Sequence, residues 1–122
     1  MKKSIMTVED STSVREMVAF TLQEAGYDVV EAEDGKDALA KLSASDIDLV
    51  LTGLNMPNMN GIELTQSLRS NPSYRFTPVI FLSTESRMEE KQVAKEAGAT
   101  GWIVKPFKPD QLLYVVKRVI GD

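Results

Sequence analysis

The feature that most constrains the fold is an alternation, repeated five times, between short apolar runs rich in β-branched residues and longer amphipathic stretches. The apolar runs have strand length, whereas the stretches place apolar residues three and four positions apart, as on one face of a helix. This pattern predicts a parallel sheet with helices on both faces, joined by right-handed crossovers. Strands are predicted at residues 5–8, 28–32, 49–52, 79–83 and 102–104.

A helix is predicted after each strand. The first is expected to begin with a capping box of Ser13 and Glu16 and to place Met17 on its inward face. Asp34 is expected to cap the second helix. The remaining helices are predicted at residues 36–42, 62–70, 87–97 and from 109 onward. A chain of 122 residues suits a single domain spanning 1–122.

Composition excludes several kinds of chemistry. The chain has no Cys, which excludes disulfides and thiolate metal sites, and no His, which excludes His-based triads and imidazole ligands. Its formal net charge of −4 argues against a reader of duplex DNA. No run has the length of a membrane span, and no signal-peptide pattern is visible. The sequence therefore predicts a cytoplasmic protein without nucleic-acid or membrane partners.

Polar side chains stand at the carboxyl ends of the predicted strands, where parallel sheets bind ligands. They are Glu9 and Asp10 after the first strand, Asn55 after the third, Ser83 and Thr84 at the fourth, and Lys105 after the fifth. Adjacent carboxylates suit a hard divalent cation such as Mg²⁺, and a hydroxyl and an ammonium beside it would hold phosphoryl oxygens. Each residue alone is more often a solvated loop, a cap or a surface lysine. Only their joint placement favours a site.

Five segments in order and register resemble a response-regulator receiver domain over the whole chain, closest to the stand-alone CheY-type chemotaxis regulators. They are residues 8–11 (VEDS), 48–57 (DLVLTGLNMP), 60–61 (NG), 79–85 (VIFLSTE) and 98–107 (GATGWIVKPF). The resemblance implies a flavodoxin-like α/β fold with strand order 2-1-3-4-5. It also implies a module of two-component signalling, not an enzyme, that receives a phosphoryl group from a histidine kinase.

The resemblance assigns roles to residues at the ends of the fourth and fifth strands. Ser83, with Thr84 beside it, would hydrogen-bond the phosphoryl group, and Lys105 would pair with it. Trp102 takes the aromatic position whose rotamer reports the switch. The bond between Lys105 and Pro106 resembles the family's cis peptide, an isomer that proline makes accessible.

The metal and acceptor positions contain one departure from the family. The resemblance gives Asp10 direct contact with Mg²⁺, Glu9 contact through water, and Asn55 a coordinating backbone carbonyl. Where the family has the phosphoaccepting Asp, however, this chain has Gly53. Glycine offers no carboxylate, so no acyl phosphate is expected there and Mg²⁺ binding is expected to be weakened. Asp48 lies too far back along its strand to substitute, and the cation would occupy Glu9 and Asp10.

Two histories of position 53 stay open. The retained site residues favour an engineered, non-phosphorylatable variant of an active regulator. The other is a natural pseudo-receiver or phosphorelay shuttle that acts as a protein interaction module without phosphorylation.

Partners are also implied by the resemblance. They would dock on the fourth helix, the fifth strand and the fifth helix, where Lys91, Tyr114 and Lys117 are expected to be exposed. A monomer that docks on a flagellar motor switch in chemotaxis fits this arrangement. A flavodoxin-like cofactor binder is the competing class, but Glu9 and Asp10 would repel a cofactor phosphate, so neither flavin nor nucleotide is expected.

Overall fold

The computed structural model describes residues 2–43, 46–85 and 87–121, and in them five strands alternate with five helices. The strands are β1 (Ser4–Val8), β2 (Asp28–Ala32), β3 (Leu49–Gly53), β4 (Val79–Ser83) and β5 (Gly101–Val104). The helices are α1 (Thr12–Glu24), α2 (Gly35–Leu42), α3 (Gly61–Ser70), α4 (Met88–Ala97) and α5 (Pro109–Ile120). The predicted alternation is confirmed, and β2 and β4 have the predicted bounds. None of the described helices is long and apolar enough to cross a membrane.

The five strands form one parallel sheet in the order β2-β1-β3-β4-β5, which confirms the predicted fold class. Val8 pairs with Thr52 and Ser83 pairs with Val104, so these strands end at a common edge. Parallel strands covered on both faces are expected to be apolar throughout. Every residue of β3 and β4 is buried, which agrees with that expectation.

Two apolar clusters hold the helices against the sheet. On one face, α1 and α5 contribute Val18, Leu22, Leu112 and Val116. On the other face, α2, α3 and α4 pack through a second set of residues: Ala38, Leu42, Leu64, Leu68 and Ala94. The central strands β1, β3 and β4 supply side chains to both clusters. The helices are therefore positioned by apolar burial on both sides of the sheet, which leaves its carboxyl edge to polar residues.

The start of α1 differs from the prediction. The N-cap is Ser11, whose Oγ accepts from the Val14 amide at 3.5 Å, so the predicted capping box of Ser13 and Glu16 is wrong. The helix begins earlier because the chain turns directly after β1 and Ser11 reaches the first free amides. Met17 is 41% exposed rather than inward. The buried residues of α1 are Val18, Ala19 and Leu22.

The loop between β3 and α3 is tied to the start of α2. Asp34 caps α2 as predicted: its Oδ1 accepts from the Asp37 amide at 2.8 Å. Its Oδ2 accepts from the Asn58 side-chain amide at 2.8 Å. These hydrogen bonds to the ionised form lower the pKa of Asp34, the bond from Asp37 most. Asn58 has a φ of 67°, a left-handed conformation that Asn tolerates better than most residues.

The neighbouring helices α3 and α4 begin in different ways. In the capping box of α3, Asn60 Oδ1 accepts from the Glu63 amide at 2.8 Å and Glu63 Oε1 accepts from the Asn60 amide at 3.0 Å. The N-cap of α4 is Arg87, whose own side chain makes no capping bond, and its amide donates to Glu85 Oε1 at 2.9 Å. The start of α4 is therefore held from the preceding loop rather than by a capping box.

Candidate functional site

The polar residues singled out in the sequence meet at the carboxyl edge of the sheet. Glu9 follows β1, and its amide still donates to the β2 residue Ala32 at 3.0 Å. Gly53 ends the adjacent strand β3. Lys105 follows β5, and its amide donates to the Ser83 carbonyl at 2.8 Å. The strand register therefore gathers an acid, a glycine, a hydroxyl and an ammonium on one rim.

An ion pair between Glu9 and Lys105 crosses this rim. Lys105 Nζ lies 2.7 Å from Glu9 Oε1, and the two side chains are 21% and 10% exposed. Glu9 Oε2 accepts from the Ser11 amide at 3.2 Å, and the Arg15 guanidinium donates to the Glu9 carbonyl at 2.7 Å. Both carboxylate oxygens of Glu9 are thus held by donors from the protein. A partly buried, charge-assisted pair of this kind has a defined geometry.

Gly53 lies directly beneath that carboxylate. A Cβ at position 53 would lie 3.3 Å from Glu9 Oε1 and 3.7 Å from both Cδ and Oε2 of Glu9. Gly53 itself is buried, and its carbonyl accepts from the Thr52 hydroxyl at 2.9 Å. The space in front of the glycine is therefore filled by the side chain of Glu9.

The donors for a cation are fewer than the resemblance implies. Asp10 and Asn55 are exposed residues, whereas the Glu9 carboxylate is bonded to Lys105. Across residues 2–43, 46–85 and 87–121, no three acidic, Cys or His side chains form a group that could hold a metal ion. Mg²⁺ keeps several waters and needs only one or two carboxylates, so this donor set fits a hydrated ion held mainly by Asp10.

The two hydroxyls after β4 have different surroundings. Ser83 is 5% exposed, and its Oγ accepts from the Glu85 amide at 3.0 Å, which closes a turn before α4. Thr84 is exposed at the rim. Since Ser83 accepts in this bond, its hydroxyl proton can still be donated to a ligand.

Trp102 connects β5 to the loop before α4. Its ring stacks on Phe81 with centroids 5.5 Å apart and an interplanar angle of 12°. Its indole N–H donates to the Glu85 carbonyl at 2.9 Å. The bond between Lys105 and Pro106 is cis. The aromatic ring is therefore fixed at both its face and its polar edge.

Two of the three predicted docking residues are exposed. Tyr114 is 63% exposed and Lys117 is exposed, but Lys91 is half-buried, which corrects the expectation. Lys91 lines a cleft of about 210 Å³ between α4 and β5, and the walls of this cleft bury part of its side chain. The other lining residues of the cleft are Ala94, Lys95, Ala99, Thr100, Gly101 and Trp102.

Sequence reasoning missed two residues that support the site. Arg15 holds the Glu9 backbone and lies 3.3 Å from the Glu31 carboxylate, and nothing local in the sequence signals either contact. The bond from Asn58 to Asp34 fixes the loop that carries Asn55. The Asn-rich composition of that loop signals a turn, but not its partner.

The chain is similar to known proteins over nearly its whole length. The profile of the response regulator receiver domain matches residues 5–117. The chain is 39% identical over 119 residues to the chemotaxis protein CheY1 of Helicobacter pylori, and the match covers 96% of each. The structure of the Vibrio cholerae chemotaxis protein CheY4, crystallized at low pH, superposes with a TM-score of 0.94 at 45% identity, over 98% of this chain and 99% of that one. The receiver domain of a sensor histidine kinase of Pseudomonas aeruginosa PAO1, whose structure has a magnesium ion in its active-site cleft, has a TM-score of 0.91 at 25% identity, over the full length of both chains.

Proposed function

The chain belongs to the response regulator receiver domain family, and we propose from this premise that residues 1–122 form one receiver domain whose phosphoacceptor position is Gly53. Receiver domains are signalling proteins of two-component systems rather than typical enzymes. The observation that supports the proposal is that the Glu9 carboxylate, paired with Lys105, lies against the buried glycine that ends β3. A side chain at position 53 would enter a rim that already carries an ammonium and the exposed carboxylate of Asp10.

Phosphoryl transfer from a kinase to position 53 needs a carboxylate there. In a chain carrying Gly53→Asp, that carboxylate attacks the phosphorus of the kinase phosphohistidine, and the bond from phosphorus to the imidazole nitrogen breaks. Lys105 moves from Glu9 to a phosphoryl oxygen, and the Ser83 hydroxyl donates to another. Mg²⁺ held by Asp10, the Asn55 carbonyl and water would neutralise phosphoryl charge when bound.

Phosphorylation of Gly53→Asp tests this function. With acetyl phosphate and Mg²⁺, the variant is expected to gain one phosphoryl group, detected by intact mass and mapped to position 53 after hydroxylamine trapping. Gly53→Asn is the matched control, because it has nearly the same size and no nucleophile. If Gly53→Asp gains no phosphoryl group at position 53, the proposal is wrong.

Binding of Mg²⁺ gives a second test. Among the rim residues that the structure describes, Asp10 is exposed and Glu9 is bonded to Lys105, so the chain should bind the cation more weakly than Gly53→Asp does. Opposite charges in contact contribute about 4 kcal/mol at an effective dielectric near 20, before desolvation, so we expect at least about a tenfold difference in Kd. Titration of Trp102 fluorescence with Mg²⁺ measures both values. Equal affinities would show that position 53 is not a ligand position.

The partners follow from the same premise. We propose a cytoplasmic, monomeric regulator that meets a histidine kinase at the rim and a target such as the flagellar motor switch on α4, β5 and α5, with neither flavin nor nucleotide bound. Two features support this docking surface: an apolar cleft flanked by Lys91 and Lys95, and the exposed side chains of Val104 on β5 and Tyr114 on α5. Apolar residues with a basic border suit a partner that carries apolar and acidic side chains.

Truncation of one exposed aromatic residue tests the docking surface. Tyr114→Ala on α5 is expected to weaken binding of the purified motor-switch protein, measured by calorimetry with the phosphorylated Gly53→Asp chain. Phe20→Ala on α1 is the matched control, since Phe20 is 64% exposed and Tyr114 is 63% exposed. Equal losses in the two variants would contradict the proposed surface.

The glycine itself has two proposed origins. We favour an engineered replacement of Asp, because Asp10, Ser83 and Lys105 are all retained at the rim. A natural receiver that signals without phosphorylation at position 53 is the alternative. The ion pair between Glu9 and Lys105 supports the alternative, because it holds the rim together without a phosphoryl group.

A further inference from the structure

The Glu9 carboxylate lies where the side chain of a phosphoaccepting residue at position 53 would lie. Its Oε1 lies 3.3 Å from the place that a Cβ would take at position 53, and its Cδ and Oε2 lie 3.7 Å from that place. An Asp side chain at position 53 would project its own carboxylate into the same region. The structure therefore brings the carboxylate of the residue that follows β1 into the space that the glycine leaves open.

The charges around this carboxylate suit phosphoryl transfer. Lys105 Nζ lies 2.7 Å from Glu9 Oε1, so an ammonium already stands beside the oxygen that would carry the phosphoryl group. The Ser11 amide and the Arg15 guanidinium hold Glu9 through Oε2 and the backbone carbonyl. Asp10, the next residue, is exposed and can hold a cation. Preorganised donors of this kind lower the barrier to the transfer of a phosphoryl group from one anionic oxygen to another.

We propose that Glu9 is itself a phosphoacceptor of this chain and accepts the phosphoryl group of a small acyl phosphate. This inference rests on the proposed receiver function and revises the expectation that the cation would occupy Glu9. A Glu9 carboxylate oxygen attacks phosphorus, the bond from phosphorus to the acyl oxygen breaks, and the donor leaves as a carboxylate with the electron pair. A mixed anhydride forms on Glu9, with no proton or electron transferred to another group.

The other nucleophiles at the rim are less suited. The Ser83 hydroxyl needs a base to remove its proton, and the chain contains no His. Thr84 needs a base for the same reason. Asp10 is exposed, whereas Glu9 contacts Lys105 and faces Gly53. An ionised carboxylate needs no base, which leaves Glu9 as the group with both the position and the reactivity.

The test compares four chains in acetyl phosphate and Mg²⁺: the chain itself, Glu9→Gln, Glu9→Asp and Gly53→Asp. Glu9→Gln keeps the shape of the side chain and removes the nucleophile. Glu9→Asp keeps the charge but withdraws the carboxylate from Gly53 by one methylene. Intact mass counts phosphoryl groups, and hydroxylamine trapping followed by peptide mapping locates the modified residue.

We expect one phosphoryl group on the unsubstituted chain, mapped to Glu9, lost in Glu9→Gln and reduced in Glu9→Asp. A modification that maps elsewhere or persists in Glu9→Gln would overturn the inference. So would an unmodified chain beside a modified Gly53→Asp, and that result leaves the proposed receiver function intact. If Gly53→Asp also stays unmodified, both proposals are wrong. If Glu9→Gln does not fold, the mapped position in the unsubstituted chain decides alone.

Discussion

The helices α3 and α4 are neighbours of equal length on the same face of the sheet, yet they are held in very different ways. Four residues of α3 are buried, namely Gly61, Leu64, Thr65 and Leu68, and a capping box closes its start. In α4 only Ala94 is buried among the residues that the structure describes. Met88 and Val93 of α4 are 75% and 47% exposed.

What holds α4 comes largely from outside the helix. At its end, Arg69 of α3 donates to the Gly98 carbonyl from Nε at 3.1 Å and from Nη2 at 2.8 Å. Before its start, the Trp102 indole fixes the Glu85 carbonyl. Stability in a folded protein is uneven, and elements with little buried apolar surface open at lower cost. The contrast indicates a rigid α3 and a more easily displaced α4, on the side where we propose that a partner docks.

The largest expected effect is a core truncation in α3. Leu68→Ala should lower the free energy of unfolding by about 2–5 kcal/mol, because a fully buried side chain leaves a cavity. Val93→Ala on α4 should stay within about 0.5 kcal/mol, since about half of Val93 is exposed and it is not part of the core. Urea melts of both variants measure the difference. Similar losses would remove the contrast between the helices.

The next effect concerns the link between the helices. Arg69→Met should cost about 1–3 kcal/mol, because it leaves the carbonyls of Tyr74, Thr77 and Gly98 without this donor. Hydrogen exchange should rise more in α4 than in α3. Arg75→Met is the control, since its guanidinium contacts the exposed ring of Phe76 at 5.1 Å. Uniform exchange across both helices in Arg69→Met would show that Arg69 does not hold α4 in particular.

A smaller effect is expected from the caps. Asn60→Ala removes the side chain that caps α3 and should lower stability by about 0.5–2 kcal/mol. Arg87→Ala at the start of α4 should change stability by less than about 0.5 kcal/mol, because its ion pairs with Glu85 and Glu90 are exposed. Thermal melts compare the two. A larger loss in Arg87→Ala would reverse the proposed order.

The smallest effect is a pH dependence that arises at Asp34, which caps α2 and bonds to the loop before α3. The pKa of Asp34 is lowered from its ordinary value of 3.8, so the ionised carboxylate stabilises the folded state. This contribution is fully present above pH 3.8 and is lost as the pH falls through the lower pKa of the folded state. Asp34→Asn should flatten the acid limb of a plot of stability against pH. An unchanged limb would show that the bonds from Asp37 and Asn58 do not favour the ionised form.

Local sequence patterns predict most of the fold, because burial and turn chemistry act over a few residues. The continuous apolar run of β4 and the Asp cap of α2 both stand where the pattern indicates. The predicted start of α1 was wrong because Ser11 and Ser13 are equally suitable N-cap residues by sequence. The geometry of the turn after β1 determines that Ser11 is the N-cap. Met17 has the helical spacing of a core residue, but its side chain lies on the exposed side of α1.

The site was predictable in its residues but not in its contacts. Strand ends identify Glu9, Gly53 and Lys105 as neighbours, because parallel strands end at one edge. That Glu9 bonds to Lys105 and covers the glycine depends on rotamers and on a side chain being absent at position 53. The half-burial of Lys91 depends likewise on how α4 packs against β5. Such contacts arise from tertiary packing, which local periodicity does not encode.

The ion pair between Glu9 and Lys105 also has a consequence for how the molecule assembles. Its partners are 96 residues apart in the chain, so the pair closes only after β5 has joined the sheet. Contacts between distant residues form late, because the chain must first lose the entropy of the intervening loop. During refolding, the Trp102 signal should therefore return together with the Glu9 contact, after the first strands have paired.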